Sequence, residues 1–369
     1  MSRMKNKGPY MLEIKELNIP GYERVIEAKD PDAGLHCYVA IHNTKLGPAL
    51  GGTRIYPYED SKHALNDVLR LSRGMTYKSA VVHNGLGGGK SVIIADPKKD
   101  KTKELLYAFG RVIDTLQGQY IIAEDIGTTT EDMSVIREKT KFVAALPTER
   151  SSGDPSRFTA WGVFKGIRAI AQTLWGKVRL KGKTVAIQGL GNVGSKLARL
   201  LFWEGAYLYI SDLDEDLAHH YAVRYGAEII PPERILEQEC DILVPCALGG
   251  VFNKESIPKL RCKAIAGAAN NQLLEEEDGK RLLERGILYA PDYIINSGGI
   301  INASMEFDPE GYDPKASRDK VNHIYDTMLE VLKGSQEQNL PTNVIANQLA
   351  EYNLENEIGK RVKPLRFQT

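Results

Sequence analysis

One stretch constrains the chain more than any other. Gly189-Leu190-Gly191-Asn192-Val193-Gly194 follows a short apolar run, Thr184–Gln188, and precedes residues of helical character, Ser195–Trp203. Between a strand and a helix, each glycine has a separate task. Gly189 permits the tight turn, Gly191 lets a phosphate approach the backbone, and Gly194 lets the helix lie close on the strand. The helix start adds free N–H groups and a partial positive charge. A second apolar run, Tyr207–Ser211, ends on Asp212. That is close to the ~20-residue spacing at which a carboxylate meets the ribose hydroxyls of a dinucleotide. Leu213, Asp214, Glu215 and Asp216 follow, with no arginine among them, so the pocket is hostile to a 2′-phosphate. The spacing predicts NAD rather than NADP, and hydride transfer as the class of chemistry.

Composition narrows the rest. A chain of 369 residues, 42% hydrophobic, has material for two cores. The 48 basic and 48 acidic residues cancel, and no basic stripe marks a nucleic-acid binder. Lys98, Lys99, Lys101 and Lys103 alternate with acids, as on a solvated face. No apolar run approaches the ~20 residues of a membrane span, and Met1–Tyr10 has basic residues but no apolar segment of a secretory signal. Cys37, Cys240, Cys246 and Cys262 form no CxxC pair, and the histidines show no ligand spacing. A cytoplasmic protein without a metal is expected.

Residues 10–147 mix strand and helix signals. Leu35–His42, Ser79–His83, Ser91–Ala95 and Tyr120–Ala123 are candidate strands. A helix is predicted from Ser61 as N-cap, with apolar residues at Ala64, Leu65, Val68, Leu69 and Leu71. Thr148–Pro155 gathers Ser, Gly, Asp and Pro and is the predicted hinge. A helix over Ser156–Trp175 follows. From Lys183, strand–helix–strand alternation predicts a parallel sheet with crossover helices. From Lys315 the chain is helical in character, with Ile324, Met328, Val331 and Leu332 on one face and a break at Pro341.

Three segments of the first half stand out. Gly47-Pro-Ala-Leu-Gly51-Gly52-Thr-Arg54 has paired glycines that let backbone approach a ligand. Gly74-Met75-Thr-Tyr-Lys78 and Gly85-Leu-Gly87-Gly88-Gly89-Lys90 bring in two lysines, one beside a glycine run. Ala123-Glu124-Asp125-Ile-Gly127-Thr128 places an acid pair after an apolar strand. The run ending Gly89-Lys90-Ser91 is not a phosphate-binding GxxxxGK[ST] loop, because Asn84 stands where its first glycine belongs. Taken singly, these are ordinary surface lysines and a glycine turn. Taken together, they suit one lysine pairing with an α-carboxylate and a second, partly buried near another cation, acting as a base. A nearby aspartate can shuttle protons to an amine.

At this point the sequence resembles the glutamate/leucine/phenylalanine/valine dehydrogenase superfamily, most of all its leucine dehydrogenase branch. IHNTKLGPALGGTR, LRLSRGMTYK, GGGKSVIIADP, AEDIGTT, QGLGNVG, CDILVPCALGG, AGAANNQL and APDYIINSGGIIN carry the resemblance, in order, over nearly the whole chain. It implies an N-terminal α/β substrate and oligomerisation domain, residues 1–147, completed by 340–369. It also implies a Rossmann-type doubly wound dinucleotide-binding domain, residues 148–339, with C-terminal helices returning to the first domain.

By the same resemblance Lys78 holds the substrate α-carboxylate, Lys90 activates water and Asp125 exchanges protons with the substrate nitrogen. Gly51, Gly52, Gly87 and Gly88 line the floor. Thr159, Ala247, Asn270 and Asn296 approach the nicotinamide and its ribose. The implied reaction is reversible oxidative deamination of an L-amino acid to the 2-oxo acid and ammonia by a homo-oligomer, in size up to an octamer. Two positions depart from the usual pattern: Gly194 replaces a frequent alanine, and Ser297 replaces an alanine before the paired glycines.

Glutamate-specific members carry a lysine and a serine where this chain has Leu50 and Ala303. An unpaired buried carboxylate costs several kcal/mol, so glutamate should be rejected. Leu50, Met75, Ala123, Ile300 and Ala303 would make an apolar pocket for a branched-chain amino acid, leucine first. An aromatic amino-acid dehydrogenase is the alternative enzyme, and a silent NAD-binding regulator the alternative of another class.

Overall fold

The computed structural model describes residues 12–146 and 152–367. They form two compact units. One comprises the residues up to Gly153 with Ala303–Tyr312 and those from Glu357 on; the other comprises Asp154–Asn302 and Asp313–Asn356.

The first unit is built on strands β1 (Glu13–Glu16), β2 (Arg24–Asp30), β3 (Leu35–Asn43), β4 (Ala49–Tyr56), β5 (Gly87–Ile94) and β6 (Tyr120–Glu124). Helices α1 (Ser61–Val81), α2 (Lys103–Thr115) and α3 (Thr130–Arg137) accompany them. The sheet order is β1-β2-β3-β5-β4-β6. It is antiparallel from β1 to β5, while β4 runs parallel to both β5 and β6.

Strand alternation sorts the side chains between two faces. Ala49, Ile55, Ile93, Tyr120 and Ile122 join Leu105, Phe109 and Val112 of α2 in one core. Tyr38, Ala40 and Val92 join Ala64 and Val68 of α1 in a second. Leu50, Gly52, Arg54, Gly88, Lys90 and Ala123 have the parity of the α1 face. The register brings them level, pairing Leu50 with Gly88, Ala40 with Lys90 and Gly52 with Ala123.

Ser79–His83 is not the expected strand. α1 runs on to Val81 with Ser79, Ala80 and Val81 buried, and His83 ends the segment at a φ of 49°. A short apolar run suits a buried helix turn as well as a strand, and here the helix pattern begun at Ser61 prevails. The N-cap is Asp60, one residue early, whose carboxylate accepts from the His63 N–H at 2.8 Å. The paired glycines, conversely, lie inside β4. Glycine's poor strand propensity hid that strand, and close neighbours explain it.

The second unit holds β7 (Thr184–Gln188), β8 (Tyr207–Ser211), β9 (Glu228–Ile229), β10 (Cys240–Pro245), β11 (Cys262–Ile265) and β12 (Leu288–Tyr289). All pair in parallel, in the order β12-β11-β10-β7-β8-β9. This is the doubly wound order whose topological switch point falls between β7 and β10, where ligands bind at the carboxyl ends of the strands. The helices are α4 (Ser156–Trp175), α5 (Gly194–Trp203), α6 (Glu215–Tyr225), α7 (Asp278–Glu284), α8 (Asp292–Ile295), α9 (Gly298–Ser304), α10 (Pro314–Asn322), α11 (Ile324–Gln338) and α12 (Thr342–Glu355).

The expected return of residues 340–369 to the first unit is narrower than the sequence suggests. α12 stays with the second unit, where the Thr342 hydroxyl donates to the Tyr289 carbonyl at 2.7 Å and Asn343 donates to the Glu276 carbonyl. The short spacing between α11 and α12, with Gly334 against Ile345, keeps the two helices together. The residues that rejoin the first unit are Ala303–Tyr312 and those from Glu357. There the Arg361 N–H donates to the Leu46 carbonyl at 2.8 Å, and its guanidinium meets Asp308 at 3.2 Å. Phe367 packs edge-on against Phe142.

The chain passes between units at Gly153. Of the predicted hinge, residues 148–151 lie outside the described residues, as does Met1–Tyr10. Among the described residues no helix is long and apolar enough to cross a membrane, no cluster of His, Cys, Asp and Glu could hold a metal, and the four cysteines are unbridged.

Candidate active site

In the first unit the site begins with two strands side by side. Lys90 stands in mid-β5 and is only 6% exposed. Asp125 follows the last residue of β6. The Lys90 Nζ lies 2.8 Å from Asp125 Oδ2. Gly52 makes the pair possible: a Cβ there would come within 2.7 Å of the Asp125 Cβ and 3.1 Å of the Lys90 Nζ.

The turn beyond Asp125 is pinned on both sides. Thr128 Oγ1 accepts from the Asp125 N–H at 2.9 Å and reaches the Thr53 carbonyl at 2.9 Å. Gly127, at a φ of 83°, lies where any Cβ would strike the Ile55 carbonyl oxygen at 2.1 Å.

Burial pushes the Lys90 ammonium below the ordinary lysine range; Arg54 acts in the same direction, and the partner Asp125 opposes both. For Asp125 burial favours the neutral acid, but the charges of Lys90 and Arg54 outweigh it and hold the carboxyl below the usual range. The result is an ion pair between a buried cation and a half-buried carboxylate, in which the cation is easier to deprotonate than a surface lysine.

Arg54, which closes the GGTR motif, is the residue that sequence reasoning left without a task. Its Nε donates to Asp125 Oδ2 at 3.0 Å and its Nη1 to Asp67 Oδ2 of α1 at 2.7 Å. The Tyr58 hydroxyl donates to the same Asp67 oxygen at 2.6 Å. The only signal was an acid, Asp67, beside the apolar Val68 on α1.

The other expected residues divide. Lys78 and Met75 are half-buried near the end of α1, Leu50 is buried on β4, and Ala123 is half-buried on β6. Ala303 is buried in the first unit, whereas Ile300 is half-buried in the second. Three of the four floor glycines answer to neighbours other than the Lys90–Asp125 pair. A Cβ on Gly51 would strike the Gly89 carbonyl oxygen at 1.8 Å, one on Gly87 the Asn43 carbonyl oxygen at 2.1 Å, and one on Gly88 the Thr76 nitrogen at 2.0 Å.

The second unit carries the fingerprint where expected. Gly189 has a φ of 92°, open to glycine and strained for other residues. A Cβ on Gly194 would fall 2.0 Å from the Gly189 carbonyl oxygen, so the turn as built has no room for the frequent alanine. Gly191 differs, since nothing lies within 4 Å of its missing side chain. α5 starts with no side-chain cap, and its positive end faces the glycine turn, with the Ser195 N–H bonded back to the Gly191 carbonyl at 3.1 Å. Asn192 is exposed and Val193 half-buried at this turn.

Asp212 Oδ2 accepts from the Leu190 N–H at 2.6 Å and Oδ1 from the Asp214 N–H at 3.0 Å, fixing the carboxylate against the glycine turn. Ala247, just past β10, lies where a Cβ on Gly189 would meet it at 3.0 Å. Asn296 Nδ2 donates to Asn270 Oδ1 at 2.8 Å and to the Ala268 carbonyl at 3.1 Å. The Thr159 hydroxyl donates to the Pro155 carbonyl at 3.1 Å and borders Gly299. Ser297 is fully buried, and its hydroxyl donates to the Ile294 carbonyl at 2.5 Å, within its own helical turn. Open space at Gly191, an uncapped helix start and a fixed carboxylate fit a dinucleotide.

Comparison with known proteins bears on the fold and the family. The profile of the Glu/Leu/Phe/Val dehydrogenase dimerisation domain matches residues 22–142, and that of Glutamate/Leucine/Phenylalanine/Valine dehydrogenase matches 152–217 and 208–354. The chain is 46% identical to a leucine dehydrogenase of Thermoactinomyces intermedius, covering 90% of this chain and 91% of that one. It is 45% identical to a phenylalanine dehydrogenase of Caldalkalibacillus thermarum, covering 91% and 92%. The crystal structure of L-tryptophan dehydrogenase from Nostoc punctiforme superposes with a TM-score of 0.81 at 43% identity, covering 91% and 96%. Motif order, fold and these matches lead to one conclusion: the chain belongs to the glutamate/leucine/phenylalanine/valine dehydrogenase family.

Proposed function

We propose that the protein catalyses the reversible, NAD-dependent oxidative deamination of an apolar L-amino acid, leucine foremost, to the 2-oxo acid, ammonia and NADH. The observation that carries this reading is the pair of buried Lys90 with Asp125 opposite Gly52, with Nζ and Oδ2 at 2.8 Å. A buried lysine with a depressed pKa beside a carboxylate is a base and a proton shuttle in one construction.

When bound, the nicotinamide supplies the hydride acceptor for the Cα hydrogen. Lys78 holds the substrate α-carboxylate. Asp125 takes a proton from the substrate ammonium, and the nitrogen becomes an imine as Cα loses hydride. Neutral Lys90 then takes a proton from water, the oxygen adds to Cα, and collapse of the carbinolamine releases ammonia, which Asp125 reprotonates. Gly52, Leu50, Ala123, Met75 and Ala303 shape the substrate side. Gly51, Gly87 and Gly88 serve it by letting the strands and α1 close up.

In the second unit Gly189, Gly191, Asn192, Val193 and Gly194 cradle the pyrophosphate. Asp212 accepts from the adenosine ribose, and Thr159, Ala247, Asn270 and Asn296 face the nicotinamide end. The Asp212 charge, followed by Asp214, Glu215 and Asp216, favours NAD over NADP.

The apolar preference rests on Leu50, 2% exposed, where an acidic substrate would need a cation. A second reading, an aromatic substrate, draws on the similar identity to phenylalanine and tryptophan dehydrogenases. NADH formation with L-leucine, L-valine, L-phenylalanine, L-tryptophan and L-glutamate separates these. Leucine and valine should lead. Preference for the aromatic pair selects the second reading, and preference for glutamate overturns both.

We also infer a cytosolic homo-oligomer, up to eight subunits. The match to a dimerisation-domain profile and the edge strand β1, all four of whose residues are exposed, support self-association. Light scattering of the purified protein measures its size.

A further inference from the structure

Arg54 is the one strong feature of the first unit that the reaction above does not use. It is a fork with both ends engaged: Nε on Asp125 Oδ2 at 3.0 Å, Nη1 on Asp67 Oδ2 at 2.7 Å. The far end is itself held. Asp67 takes the Tyr58 hydroxyl at 2.6 Å on the same oxygen and Arg70 Nη2 at 3.4 Å on the other. Three elements are thereby joined: β4 through Arg54, α1 through Asp67, and the turn after β6 through Asp125. Arg54 and Asp67 are both largely buried, with side chains 18% and 15% exposed, so the fork is shielded from competing water.

The two cations that reach Asp125 choose the same atom. Lys90 at 2.8 Å and Arg54 at 3.0 Å both contact Oδ2. These are the shortest contacts of each cation with the carboxylate.

We propose that Arg54, anchored by Asp67 and Tyr58, is a positioning residue that saturates Asp125 Oδ2 and so reserves Oδ1 for proton exchange with the substrate nitrogen. Without the fork, the carboxylate rotates about its χ2 and shares both oxygens with Lys90. The chain of Tyr58, Asp67 and Arg54 thus fixes which face of Asp125 works, at one remove from the reacting atoms. This rests on the amino-acid dehydrogenase reading above.

The groups that set the charge here come from every neighbouring element. Lys90 comes from β5, Arg54 from β4, Asp67 and Arg70 from α1, and Tyr120 from β6. Removing Arg54 takes a cation from Asp125 and a like charge from Lys90, so both titrate at higher pH.

The test compares wild type, Arg54→Gln and Arg54→Lys in NADH formation from L-leucine across pH. Arg54→Gln should lower kcat about 100-fold, the scale of a small misplacement of a reacting group, and leave KM for NAD unchanged. Its kcat/KM profile should move to alkaline pH by about one unit. Arg54→Lys keeps the charge but cannot span Asp125 and Asp67 together. It should keep the wild-type profile with kcat still at least tenfold down, and it decides the matter if the glutamine variant fails to fold. An Arg54→Gln profile in its wild-type place, or full kcat in Arg54→Lys, overturns the proposal and leaves the enzyme reading intact. A wild type inactive on every amino acid overturns both.

Discussion

The two glycine-rich segments of this chain look alike and do opposite work. In the first unit, Gly51, Gly87 and Gly88 are occupied to contact by the protein's own backbone: any side chain would meet Gly89, Asn43 or Thr76 within 2.1 Å. In the second, Gly191 faces nothing within 4 Å. One set lets the chain close on itself so that charged side chains meet in a dry place; the other leaves space for a ligand. Gly52 is intermediate, since its neighbours are the side chains of Lys90 and Asp125. Counting glycines near a site therefore does not identify which of them touch a ligand.

Substitutions can break or sharpen that contrast. The largest effect belongs to the charges the first set shelters. Lys90→Ala should lower kcat by about 1,000-fold, the range for loss of a general base, with NAD binding retained in calorimetry. Turnover within tenfold of wild type would move the base elsewhere. Next is Gly88→Ala, which drives a methyl into the Thr76 backbone and should cost about 3 kcal/mol in denaturant unfolding. A fully stable variant would mean that α1 can lift off β5 at little cost. Gly191→Ala should leave stability alone and weaken NAD about tenfold, or 1.4 kcal/mol. If it unfolds instead, the contrast between the two segments fails.

A smaller effect is expected on the pH axis. Because burial and Arg54 depress the Lys90 pKa, the neutral base appears as pH rises through a value below that of an ordinary lysine. The kcat/KM for oxidative deamination should rise with pH through that midpoint, and Arg54→Gln should delay the rise. Asp125, held low, should remain ionised across that range.

The sequence was most legible where local pattern and tertiary role coincide. Thr184–Gln188, the fingerprint, Tyr207–Ser211 and Asp212 fall where spacing put them, because strand, turn and helix there are consecutive. The face of Ile324, Met328, Val331 and Leu332 is buried as its period implied. The misreadings share a cause. Ser79–His83 is apolar and short, and its helical state depends on α1 starting at Ser61 and resting on β5. β4 was obscured because glycines carry no strand signal until the neighbours that exclude side chains are known. The resemblance gave Lys90 and Asp125 their separate roles, but the contact between them was not foreseen. Arg54, Asp67 and Tyr58 escaped notice because nothing in their spacing shows that β4, α1 and the β6 turn converge.

The path of the chain has a consequence for its birth. The strap from Glu357 to Phe367 completes the first unit, with Arg361 on Leu46 and Phe367 on Phe142, yet the whole second unit is encoded before it. Emerging from a ribosome in order, the second unit can close while the first still lacks its last piece. Nascent chains halted before Glu357 should therefore resist protease in the second unit before they do in the first.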